Sequence, residues 1–419
     1  MEEYNIYDDP ELNRIITNNN LSPYTQNGYY DAAKQFSRIN QKPYYKIVEE
    51  IKELQYDRIE EDHIIRYNPN HSQINTYLNN FINHCFELGN KPSTIKSKNN
   101  QIRTILRKSG IILPKPPRID RTYQRKKILT KKDIKYILEK STIPQQALIT
   151  FLASTGMRLY DALSLTIDDF IEATSDQHKY YNINDFLDNA PQDLLGYWVF
   201  IPNKTKKLGV ECRVCNTPES SNHILLNLRE RQRILEKKGL SIEHEDPLFS
   251  SRQQKYKRPI IKEGISSGFW KKNRILQQYK MKTLQNDLEN NRITYKQYQK
   301  KIENLPRFHA HALRHFFTTT VRNYTTNRDI SLIMEGHTSP FAMDKHYIGT
   351  SEELFNDETI KETYKTIIPY LTFNQEIDPL EYQELLLERK VNEELRNEQE
   401  KQRELLESII KNSGIDKLL

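Results

Sequence analysis

The chain has 419 residues, of which 36% are hydrophobic and 28% are charged, and it carries a formal net charge of +7. This length is sufficient for two or three domains that each bury a core. No run of about eighteen apolar residues occurs and the N-terminus is acidic and polar, so we expect neither a membrane span nor a signal peptide. Only three cysteines are present, which favours a reducing compartment over a disulfide framework. We therefore expect a cytoplasmic protein.

Three helical patterns precede residue 114. Ser22 and Pro23 are the expected N-cap and first residue of one helix. A second helix begins at Ser72, carries an apolar face that includes Cys85, and ends at Gly89. The third has an apolar face that can pack on its neighbours and a basic face whose cations can reach phosphates, although an ordinary solvated face is the alternative. This basic face comprises Lys96, Lys98, Arg103, Arg107 and Lys108.

Residues 114–127, PKPPRIDRTYQRKK, contain three prolines and six basic residues against one acidic residue. Proline favours an extended backbone, so we predict a linker here, and its charge indicates that it also crosses a phosphate backbone. The chain then divides into a helical N-terminal domain (1–113), the linker (114–127), a second domain (128–375) and a charged helical C-terminal extension (376–419). The candidate phosphate contacts in the linker are Arg118, Arg121, Arg125 and Lys126.

The charge is distributed unevenly between these segments. The C-terminal extension contains twelve acidic and seven basic residues, a net charge of −5, so residues 1–375 carry +12. A polyanion is the expected partner of such a basic body. Residues 271–307 hold ten basic and three acidic residues and are predicted to be a largely helical insertion near that polyanion.

The second domain begins with signals for two helices and a β-hairpin. Thr130 and Asp133 form a predicted capping box, and a later helical pattern ends at Gly156, shortly before Arg158. Residues 197–201 and the run VECRV are β-prone and predict two antiparallel strands. The turn between the strands carries Lys204, Lys206 and Lys207, for which a solvent-exposed lysine turn is the alternative.

One strand of this hairpin carries a C-x-x-C pattern. Cys212 and Cys215, with His223 downstream, could supply three ligands of a zinc site. Structural zinc requires four ligands, so small residues on a strand are the favoured interpretation and no metal site is predicted.

Two motifs could carry phosphate chemistry. His311 and Arg314 lie three residues apart in a helical pattern and so project from one face. A guanidinium matches two phosphate oxygens with a planar pair of donors, and an imidazole can transfer a proton near neutral pH. Asp161, one turn after Arg158, is placed to hold that guanidinium. The alternatives are structural pairing for the first motif and an isolated helix ion pair for the second.

Taken in chain order, these motifs resemble the tyrosine recombinase family of phage-type integrases. The series consists of Arg158 in TGMRLYDALSL, Lys204 on a hairpin, HALRH, a GH dipeptide and Tyr347. The resemblance spans Thr130 to Tyr347, and the helices before the linker resemble the family's core-binding domain. It implies a mainly α fold with a small antiparallel β-sheet (α+β), built from a helical core-binding domain, a tyrosine-recombinase catalytic domain and a helical C-terminal extension.

The resemblance also implies the roles of the reacting groups. Tyr347 would attack a scissile phosphate, leaving a covalent 3′-phosphotyrosine and a free 5′-hydroxyl. His311 would accept or relay the tyrosine proton. Lys204 would protonate the departing oxygen, and it is preferred over Lys206 and Lys207 because NKT directly follows the strand.

The remaining residues would bind the phosphate. Arg158 and Arg314 would contact its non-bridging oxygens, Asp161 would support Arg158, and His337 would hydrogen-bond the phosphate. No metal or other cofactor is implied, because two arginines and a lysine supply the positive charge that a metal would bring.

The resulting hypothesis is a site-specific DNA recombinase or integrase, of a mobile element or provirus, that cleaves and rejoins strands without ATP or metal. Its implied partner is double-stranded DNA, which the two domains and the linker would enclose, and recombination would require a homo-tetramer on two DNA sites. We expect association with the nucleoid and no membrane partner. The alternatives are a type IB-like DNA topoisomerase and a non-catalytic DNA-binding relative.

Overall fold

The computed structural model describes residues 4–55, 58–60, 63–65, 67–119, 127–251, 255–336 and 356–374, together with residues 382, 387, 388, 391, 395 and 398–403. The chain forms two compact units, Met1–Arg125 and Lys126–Leu419. None of the described helices is long and apolar enough to cross a membrane.

The first unit is a helical cluster with one short β-hairpin. Its helices are α1 (Pro10–Asn18), α2 (Pro23–Asn40), α3 (Tyr44–Leu54), α4 (Gln73–Glu87) and α5 (Pro92–Lys108). Ser22 caps α2 by accepting a hydrogen bond from Thr25 N, and Gly89 takes a left-handed conformation after α4, at φ +67°, as the sequence indicates. Strands β1 (Arg58–Glu60) and β2 (His63–Ile65) pair antiparallel and were not predicted.

One residue of the predicted basic face of α5 is buried. Arg103 is 3% exposed and donates a hydrogen bond to the carbonyl of Pro114, so the expectation that it lies on the outer face is wrong. It shares a buried stripe of the helix with Asn99 and Leu106, and the buried arc is therefore wider than the apolar positions alone indicate. Burial lowers the pKa of Arg103, as does the nearby Arg107 to a smaller extent. Lys96 and Arg107 are exposed and Lys98 is half-buried.

The second unit is built around one buried helix. Its helices up to the hairpin are α6 (Lys131–Glu139), α7 (Ile143–Thr155), α8 (Leu159–Leu163), α9 (Ile167–Ala173) and α10 (Ile183–Asn189). The residues of α7 from Ala147 to Thr155 are all buried, and α7 packs against helices on either side of it. The predicted capping box at Thr130 and Asp133 is formed.

The β-hairpin and the remaining helices complete this unit. Strands β3 (Gly196–Phe200) and β4 (Cys212–Asn216) pair antiparallel, with Trp198 opposite Val214. They are followed by α11 (Pro218–Glu236), α12 (Lys262–Glu289), α13 (Tyr295–Glu303), α14 (Ala310–Tyr324), α15 (Arg328–Glu335) and α16 (Asp357–Leu371). The chain is thus mainly helical with small antiparallel two-stranded sheets, and the predicted fold class is confirmed.

Candidate active site

Arg158 owes its position to the turn after α7. Gly156 ends that helix at φ +62°, and a Cβ atom there would lie 2.2 Å from the ring of Phe317, so both the conformation and the packing require glycine. The turn places Arg158 as the N-cap residue of α8, half-buried. Its Nη1 is buried and has no hydrogen-bond partner among the described residues. Arg158 therefore has a donor available for a ligand.

Arg314 projects from α14 into the same region and is only 8% exposed. Its Nη1 donates to the carbonyl oxygen of Gly156 at 2.6 Å, and its Nη2 donates to that of Glu335 at 2.5 Å. Burial lowers the pKa of Arg314, and the positive charge of Arg158 lowers it further. Two guanidinium groups that repel each other in this way create a site that favours an anion.

Asp161 does not form the expected ion pair with Arg158. The carboxylate is 5% exposed, and its Oδ1 accepts hydrogen bonds from Asn203 N and Asn203 Nδ2, both at 3.0 Å. Because Arg158 is the N-cap residue and not part of the helix, the expected one-turn stacking of the two side chains does not arise. Asp161 instead attaches the β3–β4 connection to α8.

Lys204 directly follows Asn203 in that connection. The predicted lysine turn forms a 3₁₀ helix, Asn203–Leu208, that ends at Gly209 with φ +63°. The side chains of Lys204 and Lys206 are exposed. The backbone of Lys204 is therefore held next to a residue fixed by Asp161, whereas Lys206 lies two residues further along.

The hairpin also contacts the end of α15. Gly336 has φ +60°, and a Cβ atom on it would lie 3.1 Å from side-chain carbons of both Pro202 and Cys212. The pKa of the Cys212 thiol is raised to about 12 because the group is buried. The turn before His337 is thus packed on the strand ends that carry the lysine connection.

His311 lies near the start of α14 and is exposed. Its ring is 4.5 Å from that of His315 in an edge-to-face arrangement, and 6.3 Å from that of His309. His309 is the N-cap residue, and its Nδ1 accepts a hydrogen bond from Ala312 N at 3.1 Å. The sequence reasoning did not include His315, although its spacing of four residues from His311 on a helix predicts their contact.

Glu335, at the end of α15, binds two arginines of α14. Its carboxylate is fully buried and pairs with both Arg322 Nε, at 2.7 Å, and Arg322 Nη2, at 2.5 Å. Its backbone oxygen holds Arg314. Arg322 and Arg314 lie two turns apart on α14, so one residue of α15 fixes both ends of this helix segment.

Several predicted site residues lie outside the described residues. His337 and Tyr347 fall in the segment 337–355, and Arg121, Arg125 and Lys126 fall in the segment 120–126. Arg118 is described and exposed. The structure thus brings together Arg158, Asp161, Arg314 and the backbone of Lys204, and places His311 on the same helix as Arg314.

The two cysteines of the C-x-x-C pattern are separated by the geometry of β4. Cys212 and Cys215 are three residues apart on β4, so their side chains leave opposite faces of the strand. Cys212 Sγ donates to the carbonyl of Met334 at 3.4 Å. Within the described part of the chain, no group of three His, Cys, Asp or Glu residues is placed to hold a metal ion.

Among known proteins, the chain is similar to several solved structures. No protein-family model and no curated protein sequence matches the chain. The Tn1549 transposon integrase in complex with transposon right end DNA is similar, with a TM-score of 0.46 and 14% identity over 82% of this chain and 95% of that one. A lambda integrase dimer bound to a core site has a TM-score of 0.45 and 13% identity, covering 84% and 96%. XerA recombinase has a TM-score of 0.30 and 18% identity, also covering 84% and 96%.

Proposed function

We propose that this chain is a site-specific DNA recombinase of the tyrosine recombinase type, which cleaves and rejoins strands through a covalent 3′-phosphotyrosine. The arginine pair is the observation that carries the proposal. Arg158 has a buried Nη1 without a hydrogen-bond partner among the described residues, and its charge adds to burial in lowering the pKa of Arg314. A bound anion relieves this repulsion. A phosphodiester is such an anion, and its two non-bridging oxygens match guanidinium donors.

Two proton transfers accompany the proposed cleavage step. Tyr347 Oη attacks phosphorus while its proton passes to His311, and the bond to the 5′ oxygen breaks as Lys204 donates a proton to that oxygen. A phenol has a pKa of about 10, so the proton acceptor is needed near neutral pH. Arg158 and Arg314 stabilise the negative charge that develops on the non-bridging oxygens. Rejoining reverses these steps with a 5′-hydroxyl as the nucleophile.

The proposed substrate is duplex DNA. His337 would donate a hydrogen bond to the same phosphate, and basic residues of the first unit would contact the backbone. Exchange between two duplexes requires four strand cleavages, so we assign the active assembly as a homo-tetramer on two sites. The basic residues proposed to contact DNA are Lys96, Lys98, Arg107 and Arg118, with Arg121, Arg125 and Lys126 in the linker.

A suicide substrate tests this proposal. The full-length protein is incubated with a panel of nicked duplexes from the DNA that flanks its gene, and denaturing gels detect covalent adducts. Wild type should form an adduct, and Tyr347→Phe should form none. Tyr160→Phe is the matched control, because Tyr160 is 72% exposed and lies two residues from Arg158. Arg158→Ala should reduce the rate of adduct formation by about 10²- to 10³-fold.

Each contrary outcome has a definite meaning. An adduct that persists in Tyr347→Phe and disappears in Tyr160→Phe would reassign the nucleophile. Tight binding to a cognate site without any adduct would identify a DNA-binding protein instead of an enzyme. Relaxation of supercoils without exchange between two sites would identify a topoisomerase.

A further inference from the structure

Residues 281–303 form an ordered helical arm that adds nothing to the core. The arm consists of the last part of α12, a turn, and α13, and none of its residues is buried. A capping box between Thr294 and Gln297 starts α13, and Asn291 takes a left-handed conformation at φ +55° in the turn. Local hydrogen bonds therefore shape the arm, and its faces remain accessible to a partner.

The base of the arm is fixed firmly to the second unit. Tyr279 stacks on Tyr136 of α6 with ring centroids 4.0 Å apart, and Lys280 forms an ion pair of 2.5 Å with the buried Asp133. The other side of the base is tied to the chain just before α14, where Phe308 N donates to Asn273 Oδ1 at 2.8 Å. The arm is thus anchored next to the helix that carries His311 and Arg314.

Three basic side chains meet near the turn of the arm. Arg292, Lys300 and Lys301 line a shallow cavity of about 320 Å³, together with Ile293 and Gln297, and no acidic residue lines it. The guanidinium of Arg292 is 3.5 Å from Asp287 and is 72% exposed, so that ion pair is weak. A cluster of this kind is suited to an anion that carries several oxygen acceptors.

We propose that this arm is a second contact to duplex DNA, in which Arg292, Lys300 and Lys301 bind backbone phosphates beyond the phosphate held in the active site. The inference rests on the proposed function. A duplex presents one negative charge per about 1.7 Å of its axis, which suits adjacent cations on a rigid support. The acidic C-terminal extension is the other anionic candidate in this chain, but seven basic residues interrupt its twelve acidic ones. The continuous charge of a duplex fits the cluster better.

The dimensions of the arm limit where this contact falls. From Gln277, which hydrogen-bonds the carbonyl of Pro306 at the base, α12 extends for about twelve residues to Glu289, and the turn carries Arg292 just beyond it. At about 1.5 Å per helical residue, the helical part spans about 18 Å. That distance corresponds to about five base pairs along a duplex. Duplexes shortened within this range should lose the contact while keeping the cleavage site.

The test measures DNA binding with full-length protein carrying Tyr347→Phe, so that no covalent step occurs. The double variant Lys300→Ala/Lys301→Ala is compared with Lys237→Ala/Lys238→Ala, an adjacent pair of exposed lysines at the end of α11. Affinity is determined from about 0.1 to 0.5 M salt on a nested set of duplexes trimmed from each end. Loss of two phosphate contacts should reduce the slope of log affinity against log salt by about 2, and should weaken binding tens-fold at 0.1 M salt.

The expected result is specific to the arm and to duplex length. Lys300→Ala/Lys301→Ala should lower the slope on long duplexes and have no effect on the shortest ones, whereas the Lys237/Lys238 pair should change neither. Equal slopes for the two double variants on every duplex would overturn the proposal. The proposal would also be overturned if Lys300→Ala/Lys301→Ala left the slope unchanged but lost binding to a peptide of residues 376–419. That result would identify the arm as a protein-docking surface.

Failure of the proposed function is distinguished by a separate reaction. Lys300→Ala/Lys301→Ala in a background with Tyr347 intact should still form the covalent adduct on the shortest duplex at the wild-type rate. If wild type itself forms no adduct, the proposed recombinase chemistry fails, while the salt slopes still decide whether the arm binds DNA.

Discussion

Asp161 Oδ1 accepts two hydrogen bonds of 3.0 Å from Asn203, one from its backbone N and one from its side-chain Nδ2. These bonds connect the helix that begins at Arg158 to the residue before Lys204. The backbone of Lys204 is therefore held beside the helix that begins at Arg158 by one buried carboxylate. We expect Asp161 to act in this arrangement as a positioning residue for Lys204, because its carboxylate binds Asn203 and forms no ion pair with Arg158.

The first prediction concerns this carboxylate. Asp161→Ala removes both acceptor bonds and frees the start of the 3₁₀ helix, so single-turnover cleavage should slow by about 10- to 100-fold while DNA affinity remains unchanged. Asp161→Asn is the matched control, because the amide oxygen can still accept both bonds. Rates are measured on a nicked duplex that cannot be religated.

A modified substrate shows how the defect arises. If the scissile 5′ oxygen is replaced by sulfur, the leaving thiolate needs no proton from a general acid, since a thiol has a pKa of about 8.5. Asp161→Ala should then cleave at nearly the wild-type rate. A defect of the same size on both substrates would show that Asp161 acts through Arg158 and not through Lys204.

The second prediction separates the lysines of the connection. Lys204→Ala should abolish cleavage of the oxygen substrate and leave DNA binding intact, whereas Lys206→Ala should cleave within a few-fold of wild type. Lys204 is adjacent to the anchored Asn203, and Lys206 is not. Loss of activity in Lys206→Ala with normal activity in Lys204→Ala would assign the proton donor to the later residue.

Elements that depend on neighbouring residues were predictable from the sequence. The capping box at Thr130 and Asp133, the helix end at Gly156 and the β3–β4 hairpin all form as expected. Each requires a signal spread over only a few positions. The family resemblance carried by the order of the motifs also nominated Arg158 and Arg314, which the structure brings to one region.

Pairings between distant residues were not predictable in the same way. Asp161 and Asn203 are 42 positions apart, and nothing in either motif specifies that they meet. Arg103 was assigned to an exposed face because helical periodicity reports polarity and not the reach of a side chain to a carbonyl. The burial of Glu335 is a third case. A carboxylate is seldom fully buried unless it is paired, and the sequence does not show that Arg322 is within reach of Glu335.

The third prediction is a pH dependence of stability. Burial lowers the pKa of both His178 and His223 below the ordinary value of about 6.5. At these two histidines the unfolded chain binds more protons than the folded chain when the pH falls below about 6.5, so their contribution to the free energy of unfolding should decrease from pH 7 to pH 5. Urea unfolding at a series of pH values measures this slope.

A variant identifies the source of the slope. His223→Leu removes one of these two histidines and should flatten the dependence between pH 7 and pH 5, whatever its effect at pH 7. His71→Leu is the control, because that histidine is exposed. Parallel curves for wild type and His223→Leu would contradict the assignment.

The fourth prediction concerns the ion pair between α14 and α15. Arg322→Met removes the ion pair that Arg322 makes with the fully buried carboxylate of Glu335, and it should lower the free energy of unfolding by roughly 2–4 kcal/mol. This value is near the lower part of the range for broken buried pairs, because Arg322 itself is 57% exposed. Glu335→Leu alone should have a smaller effect, since the arginine can return to solvent.

The double variant Arg322→Met/Glu335→Leu should recover most of the stability lost in Arg322→Met. Urea unfolding of the four proteins gives the coupling energy. Additive single effects would show that the ion pair contributes nothing to stability beyond its separate side chains.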